Sequence, residues 1–278
     1  SMGKGKYAGE FDIVLEKKNK STVISGKRFD GLIKLSPTIH LDSEKISTYF
    51  ILGLGGGYVE GEKYKYSISL KEGARSIITT QAATKVYKCE HGKKTEQETL
   101  INLDKNSILE YITDSVILYK DAIYKQVNNI YMDESATLIY SDGITSGWSK
   151  EGDGFQYSNV QLKTSIYMNN KIVLLDNLLI NPREDDVSSL GFFEGYENFG
   201  TLIVINKNIN SEVIEDIRES INSLNLPIYF GISEIEVSGF VLRVLRNLTQ
   251  NIEAAIKLAN NYIRKKFLNS KELFIRKY

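Results

Sequence analysis

The residues best suited to chemistry are a glycine cluster and the strand that follows it. Positions 53–62 have the sequence Gly-Leu-Gly-Gly-Gly-Tyr-Val-Glu-Gly-Glu, and glycine loops can hold phosphate when a helix begins directly after them. A dinucleotide fingerprint starting at Gly53 needs glycine where the chain has Tyr58. A P-loop starting at Gly56 needs lysine where the chain has Glu62. No helical periodicity follows, so the cluster predicts a tight turn or bulge in which the missing Cβ atoms permit positive φ.

The tripeptide Cys89-Glu90-His91 is a second group that could do chemistry, because all three side-chain types bind transition metals. It precedes the polar turn 92–94, where we expect exposed residues. The chain has two histidines in all, so a complete site would need distant carboxylates or a second subunit. Cys89 could act as a nucleophile with His91 or His40, but neither spacing is diagnostic. The pattern therefore favours neither a tight metal site nor nucleophilic catalysis.

Composition sets limits on the function. The chain has 278 residues, 42% of them hydrophobic, which is enough for a sizeable core. Lysine and arginine number 35 against 35 acids, so no overall charge favours nucleic acid or an anionic membrane. A single cysteine, no apolar run of bilayer length and no secretory signal indicate the cytoplasm. Ser1 resembles the remnant of a cleaved tag.

Strands must position these residues, because most of the first 205 residues have strand-like patterns. Along 63–70, tyrosines, isoleucine and leucine alternate with lysines and serines. Segments 160–168 and 171–180 also favour strands, and Asn169-Asn170 between them predicts a hairpin. Apolar residues recur at helical spacing later, which predicts helices near 211–225 and 249–268. We expect a single strand-dominated domain, 2–278, with a small C-terminal helical part.

Two segments, one strand apart, together resemble a known family. Segment 56–62, Gly-Gly-Tyr-Val-Glu-Gly-Glu, is similar to the Gly-Gly-Leu-Val-Gly-Gly-Asp of the urease accessory protein UreD (UreH) family. Segment 79–87, Thr-Thr-Gln-Ala-Ala-Thr-Lys-Val-Tyr, is similar to its Thr-Thr-Pro-x-Ala-Thr-Lys-Phe-Tyr. The matching motif residues are Gly56, Gly57, Gly61, Thr79, Thr80, Ala83, Thr84, Lys85 and Tyr87.

The resemblance extends over most of the chain. Segments 109–112 and 116–119 are similar to the family's Leu-Glu-Trp-Leu and the apolar strand after it, and 241–245 resembles its C-terminal strand. The family's Gly-Arg-x-Ala-x-Gly-Glu-x-Phe corresponds to 147–155, where Trp148 replaces the arginine and Asp153 the glutamate. A role of that arginine is therefore not expected here.

The resemblance implies a mainly β fold of two facing sheets in a β-helix-like winding, with a small C-terminal element of two helices. It also implies a non-enzymatic chaperone and scaffold for urease maturation. Such a protein binds UreF, which recruits the GTPase UreG, and the assembly docks on apo-urease, with a homodimer of the chain in the assembled complex as a further expectation. No cofactor is expected to bind tightly, and nickel would pass through an interior tunnel.

A passage for nickel needs oxygen or nitrogen groups that hold the ion weakly. Asp176 is the sharpest candidate, because it interrupts the apolar run 172–180, and a strand buried on both faces rarely has a lone carboxylate. A structural hydrogen bond or an exposed strand edge would also explain it, and a solvated turn would explain the glutamates at 60 and 62. The candidates are Glu60, Glu62, Thr84, Asp142, Asp153 and Asp176.

Other interpretations stay open at this point. The apolar stripe of the last helix either packs on the core or docks a helical partner such as UreF. The main alternative function is a β-rich hydrolase that uses paired carboxylates on a polar substrate, and two acids in one pocket with a raised pKa in one would favour it. A β-sandwich adhesion or carbohydrate-binding module is the third possibility.

Overall fold

A computed structural model describes residues 5–41, 44–147, 159–181, 198–246 and 249–275. These residues form mainly strands, with two helices near the C-terminus. In chain order the elements are β1 (Gly9–Lys18), β2 (Ser21–Gly31), β3 (Ile33–Leu35), β4 (Ile39–His40), β5 (Ser47–Gly53), β6 (Lys63–Leu70), β7 (Arg75–Thr80), β8 (Lys85–Val86), β9 (Thr95–Leu103), β10 (Ile108–Ile112), β11 (Val116–Leu118), β12 (Ile123–Met132), β13 (Thr137–Ser146), β14 (Asn159–Met168), β15 (Lys171–Ile180), β16 (Asn198–Ile205), α1 (Ser211–Ser223), β17 (Tyr229–Glu234), β18 (Gly239–Arg246) and α2 (Thr249–Phe267).

The strands form two facing sheets. Sheet A has seven strands in the order β15-β14-β12-β9-β6-β1-β2, and sheet B has the central order β17-β18-β16-β13-β10-β7-β5-β3 with three short strands attached. From β6 to β14 the long strands alternate between sheets A and B, and each pairs in parallel with the strand one turn earlier in the same sheet. This solenoid-like winding confirms the predicted fold class.

The core lies between the sheets because each strand directs alternate residues inwards. The alternation predicted along 63–70 is confirmed, since Tyr64, Tyr66, Ile68 and Leu70 are all buried. The predicted hairpin is also present, since β14 and β15 pair antiparallel across Asn169. Asn169 and its neighbour have φ of 51° and 59°, the left-handed conformation that asparagine tolerates in tight turns.

The two helices cover the outer face of sheet B, where they form a second apolar cluster with it. Asn210 caps α1 by accepting a hydrogen bond from the Val213 N–H. Both helices begin at the predicted residue and end within two residues of the predicted one. The apolar stripe of α2 packs on the sheet, with Ile252, Ala255, Ala259 and Ile263 buried. Among the described residues, neither helix combines the length and apolar character needed to span a bilayer.

A buried ion pair joins α2 to sheet B. Arg264 of α2 donates two hydrogen bonds from one guanidinium nitrogen to the carboxylate of Glu110 on β10, and both residues are fully buried. Arg264 also donates to the carbonyl of Lys271, at 2.9 Å, which holds the segment after the helix against the sheet. Burial raises the pKa of Glu110 although Arg264 and Arg75 oppose the shift. Desolvation of this site is therefore costly, and it is tolerated only while both partners are present.

One expectation about β15 is wrong. Its apolar run was expected to be buried on both faces, but β15 is the last strand of sheet A, and Ile172, Leu175 and Leu179 are 43%, 55% and 60% exposed. Apolar content alone cannot distinguish a central strand from an edge strand, since both favour leucine and isoleucine. Asp176 nevertheless points to the interior of the solenoid.

We expect Glu110→Gln to lower the free energy of unfolding by about 3 kcal/mol, because it removes the buried, hydrogen-bonded counter-ion of Arg264 and leaves the more exposed carboxylate of Glu44, 3.7 Å away, to balance the charge. Urea unfolding followed by circular dichroism measures this loss. The double variant Glu110→Leu with Arg264→Met removes both charges and should recover most of it. A double variant as unstable as Glu110→Gln would show that the pair contributes through shape rather than charge.

Candidate functional site

Parallel pairing in register aligns inward side chains into rows that run along the solenoid axis, across the strands. One row on sheet A contains Tyr64, Gln97 and Gln126, which are direct partners on β6, β9 and β12. We call this row and the neighbouring one the polar ladder. The neighbouring row spans five strands, from β6 to β15, and contains Tyr66, Thr99, Asn128, Thr164 and Asp176.

The next rows on the same strands are apolar. Ile13, Ile68, Ile101, Ile130 and Ile166 are partners on five adjacent strands, and all five are fully buried. The interior of the solenoid therefore has a dry half, formed by this isoleucine ladder, and a polar half beside it. A purely structural core has no need for two rows of hydrogen-bonding groups, since each must find a partner to offset its desolvation.

Sheet B faces the polar ladder with further polar groups. Asp142 on β13 accepts hydrogen bonds from Gln126 Nε2, at 3.1 Å, and from the hydroxyl of Tyr140, at 2.6 Å. Tyr124 donates to Gln126 Oε1 at 2.8 Å. Asn128 donates to Thr164 Oγ1 at 3.0 Å, within one row. The two sheets are thus joined by a hydrogen-bonded network with Asp142 at its centre.

The environment of Asp142 disfavours its charged form. Burial raises the pKa of this carboxyl to about 6, and the charge of Asp176 adds to the shift. The Tyr140 and Gln126 hydrogen bonds and the charge of Arg243 oppose it. Near neutral pH, Asp142 is therefore an anion held in a site that accepts a proton or a cation readily.

The tyrosines that line the polar half remain neutral. Burial raises the pKa of Tyr66 to about 12, and it raises the pKa of Tyr58, Tyr124 and Tyr140 well above the usual value. Tyr58 shares a short hydrogen bond with Tyr66 and donates to Gln97 Oε1 at 2.8 Å. These phenols offer neutral oxygen atoms, which contact a cation weakly compared with thiolates or carboxylates.

The far end of the polar ladder is closed by an ion pair between the sheets. Asp176 on β15 pairs with Arg243 on β18, and their side chains are 21% and 35% exposed. The pair therefore lies where the interior approaches solvent. The sequence prediction singled out Asp176 but had no signal for Arg243, because the two residues are far apart in the chain and meet through the winding.

The near end opens at a pocket of about 250 Å³ built from the two motif segments. Its wall includes the glycines at 55–57, the segment 80–85, and Tyr58, Tyr64 and Tyr66 from the polar half. The two segments are joined by backbone hydrogen bonds from Tyr58 N to the Lys85 carbonyl, at 2.7 Å, and from Tyr87 N to the Tyr58 carbonyl, at 3.1 Å. We call this pocket the mouth.

Gly57 is required at the mouth for a steric reason. Its φ is +146°, and a Cβ added there would lie 2.7 Å from Tyr87 Cε2 and 2.8 Å from the Lys85 carbonyl oxygen. The Tyr87 hydroxyl donates to the Gly56 carbonyl at 2.7 Å and fixes the same turn. These contacts explain why Gly57 and Tyr87 occur together in the two motif segments, and they confirm the expected tight glycine turn.

The other motif residues serve this arrangement in different ways. Lys85 is exposed at the rim of the mouth, whereas Thr84 and Ala83 are half-buried in its wall. Thr80 donates to Asp114 Oδ2 at 2.8 Å and so ties the mouth to the end of β10. Thr79 is fully buried on the opposite face of β7.

The structure brings only some of the candidate nickel residues together. Asp142 and Asp176 lie in the polar half, and Thr84 lies at the mouth. Glu62 is at the edge of the mouth, where it accepts from the Val59 N–H at 2.8 Å and from the hydroxyl of Tyr64. Asp153, like Trp148, lies outside the described residues.

Glu60 lies outside the polar ladder, in a loop contact with the tripeptide 89–91. Its carboxylate accepts from the backbone N–H of His91, at 2.7 Å, and of Lys93, at 3.0 Å, and lies 3.1 Å from His91 Nδ1. Cys89 is buried rather than exposed, because its sulfur accepts from the Ile123 N–H inside the next turn. Among the described residues, no three histidine, cysteine or acidic side chains are grouped closely enough to hold a metal ion.

The sequence analysis did not identify the amides of Gln97, Gln126 and Asn128 as interior groups, because polar residues in strands usually face solvent. A signal was present, however. On each strand the polar residues are separated from a buried isoleucine by an even number of positions. They are Gln97 and Thr99 before Ile101 on β9, and Gln126 and Asn128 before Ile130 on β12. That parity places them on the inner face.

We expect Gly57→Ala to destabilise the protein by about 3 kcal/mol or more, because it combines backbone strain with overpacking. Gly92→Ala is the matched control, since Gly92 also has positive φ but no atom within 4 Å of its added Cβ. Gly92→Ala should lower the free energy of unfolding by about 1 kcal/mol. Equal losses of unfolding free energy in the two variants would contradict the steric explanation.

The raised pKa of Asp142 predicts a pH-dependent stability. The pKa of Asp142 is higher in the folded state than in the unfolded state, so the protonated carboxyl favours folding. This contribution to the free energy of unfolding is fully present below about pH 4 and is lost as the pH rises through about 6. Asp142→Asn mimics the protonated acid, so this variant should be more stable than the parent at pH 8, by about 1–3 kcal/mol, and similar at pH 4. Urea unfolding at both pH values measures the difference, and an Asn variant less stable at pH 8 would contradict the assignment.

Comparison with known proteins gives a consistent result. The model of the family described as UreD urease accessory protein matches residues 7–277. A urease accessory protein UreD of Ureaplasma urealyticum is 42% identical over 253 residues, covering 90% of this chain and 88% of the relative. The UreD protein of Streptococcus thermophilus is 37% identical, over 98% of this chain and 97% of the relative. The UreD protein of Lachnoclostridium phytofermentans is 34% identical, over 98% of this chain and 99% of the relative. This chain therefore belongs to the UreD family of urease accessory proteins.

Proposed function

We propose that this chain is a non-enzymatic scaffold for urease maturation in the cytoplasm, and that nickel passes along its polar ladder. In this role it bridges the UreF–UreG complex to apo-urease, as the family resemblance implies. The observation that supports the passage is the continuity of the polar ladder, which runs from the mouth through five strands to Asp176. No resident metal site is part of the proposal.

The chemistry of the ladder suits a transient cation. Neutral phenols, hydroxyls and amides are hard or borderline oxygen donors that can replace part of the hydration shell of Ni²⁺ without trapping it. Asp142, halfway along, supplies negative charge that offsets the desolvation of the ion. The isoleucine ladder beside it keeps the other half of the interior closed.

The test compares variants on the two halves of one strand. Asn128→Leu replaces a ladder amide by an apolar group of similar size, whereas Ile130→Val changes the dry half two residues further along β12. Each variant is co-expressed with urease, UreF and UreG, and the nickel content of purified urease is measured. We expect Asn128→Leu to lower it about tenfold, which corresponds to roughly 1.4 kcal/mol of added barrier, and Ile130→Val to leave it unchanged.

Co-purification of the variants with UreF, UreG and apo-urease is the control for assembly. A variant that assembles normally but delivers little nickel supports the passage. If Asn128→Leu assembles and loads urease fully, the passage does not follow the ladder. If the parent chain itself fails to assemble with these partners, the scaffold role is wrong.

The hydrolase alternative has one observation in its favour, the raised pKa of Asp142 beside a second acid, Asp176. The geometry of the two acids is less favourable for hydrolysis, because Asp176 forms an ion pair with Arg243 and buried tyrosines surround Asp142. A bulky polar substrate could reach the acids only by displacing those rings. Hydrolysis of a polar substrate that is lost in both Asp142→Asn and Asp176→Asn would support this alternative over the passage.

A further inference from the structure

The ion pair at the far end of the polar ladder joins the last turn of the winding. Asp176 belongs to the edge strand of sheet A, and Arg243 belongs to β18, which pairs with the edge strand of sheet B. Asp176 is also the last member of its row, next to Thr164. Anything that travels along the ladder reaches the Arg243 guanidinium at this point.

Arg243 and Asp176 act on Asp142 in opposite directions. Arg243 lowers the pKa of Asp142, whereas Asp176 raises it. Thr201 on β16 stands between Asp142 and Arg243 in the register of sheet B. The two carboxylates, Asp176 at the end of the ladder and Asp142 halfway along it, therefore share one positive charge, and Arg243 offsets the negative potential that they create.

Two buried polar atoms beside this cluster have no hydrogen-bond partner among the described residues. One is Oδ1 of Asn128, a residue that is 1% exposed, and the other is Nε of Arg243. If the Asn128 amide were turned round, its nitrogen would lack an acceptor instead, so one end of the amide is unpaired in either orientation. With the amide oriented as in the structure, the unpaired atom is an oxygen in the same row as Asp176, with Thr164 between them, and such an oxygen can accept a cation.

We propose that Arg243 is a resident counter-ion, which occupies Asp176 while the interior is empty and leaves it when a divalent cation arrives between Asp142, Asp176 and Asn128. This inference rests on the proposed nickel passage and adds to it the element that keeps binding weak. Without Arg243, two carboxylates and an amide oxygen would form a site from which a divalent ion departs slowly. With Arg243, the guanidinium competes for the same oxygens and favours release.

The partial exposure of the pair makes this exchange physically reasonable. Arg243 is 35% exposed, so its guanidinium can turn towards water instead of remaining in the interior without a partner. The Arg264–Glu110 pair differs, because both of its side chains are buried and cannot separate without the full desolvation cost. The two ion pairs thus have different roles, one exchangeable and one fixed.

The test titrates the purified full chain with NiCl₂ by calorimetry, in a His91→Ala background that removes an exposed imidazole from the titration. We expect Arg243→Met to bind Ni²⁺ about tenfold more tightly than the parent, which corresponds to roughly 1.4 kcal/mol. Arg243→Lys keeps the charge and should remain within about threefold of the parent. The gain should disappear in Arg243→Met with Asp176→Asn.

Several results would overturn the proposal. One is a folded Arg243→Met chain that binds Ni²⁺ no more tightly than the parent, which is what a merely structural clamp between the sheets predicts. Another is a gain that persists when Asp176 is also replaced. If Arg243→Met does not fold, Arg243→Gln, which can still donate to Asp176, serves the same comparison. The titration needs no urease or partner, so its failure is distinct from failure of the nickel passage, which appears in the nickel content of urease.

Discussion

Parallel stacking in register is the constraint on which the rest of this structure depends. Because each strand pairs with the equivalent position one turn earlier, a residue type repeated once per turn becomes a continuous row along the axis. In this way five isoleucines form one continuous apolar row. Two residues away on the same strands, the same pairing aligns amides, hydroxyls and a carboxylate in a second row. A shift of one residue in any strand would turn its ladder residues to the outer face and interrupt both rows.

A polar row inside a small core is costly unless its groups satisfy one another. The chain solves this largely with tyrosines, whose rings contribute apolar area while their hydroxyls pair with the ladder. Tyr58 stacks on Tyr64 with ring centroids 3.6 Å apart and also bonds to Gln97, so one side chain serves both requirements. Asp176 is paired across the sheets with Arg243, whereas the carboxylate of Asp142 is held inside by the neutral donors of Gln126 and Tyr140. The polar half is therefore compatible with a stable fold, although it adds less stability than a second isoleucine ladder would.

Much of the fold followed from local pattern, and much of the site did not. Alternation along 63–70, the Asn169 turn and the two amphipathic helices are properties of neighbouring residues, so the sequence was sufficient to predict them. The β-helix-like winding of the strands was predicted from the family resemblance and not from local pattern. The partners of Asp176 and Glu110, namely Arg243 and Arg264, lie 67 and 154 residues away, and no local signal identifies such pairs. The placement of Cys89 failed for the same reason, since its burial depends on Ile123 in the following turn.

The two ends of the polar ladder differ in rigidity and charge, and the difference has a functional consequence. At the mouth, glycine backbone and a tyrosine hydroxyl are held by hydrogen bonds and by a steric contact that admits no Cβ at Gly57. This end therefore presents a fixed opening, with Lys85 and Glu62 at its rim and tyrosine side chains in its wall. At the other end, the carboxylate of Asp176 pairs with a partly exposed guanidinium that can move, and Asp142 lies two strands from that arginine in sheet B. In the proposed nickel passage, a cation that moves from the mouth along the ladder gains favourable interactions as it approaches Asp142 and Asp176. Under the proposed passage, a rigid entrance and an exchangeable ion pair at the charged end favour transit of the cation over its retention.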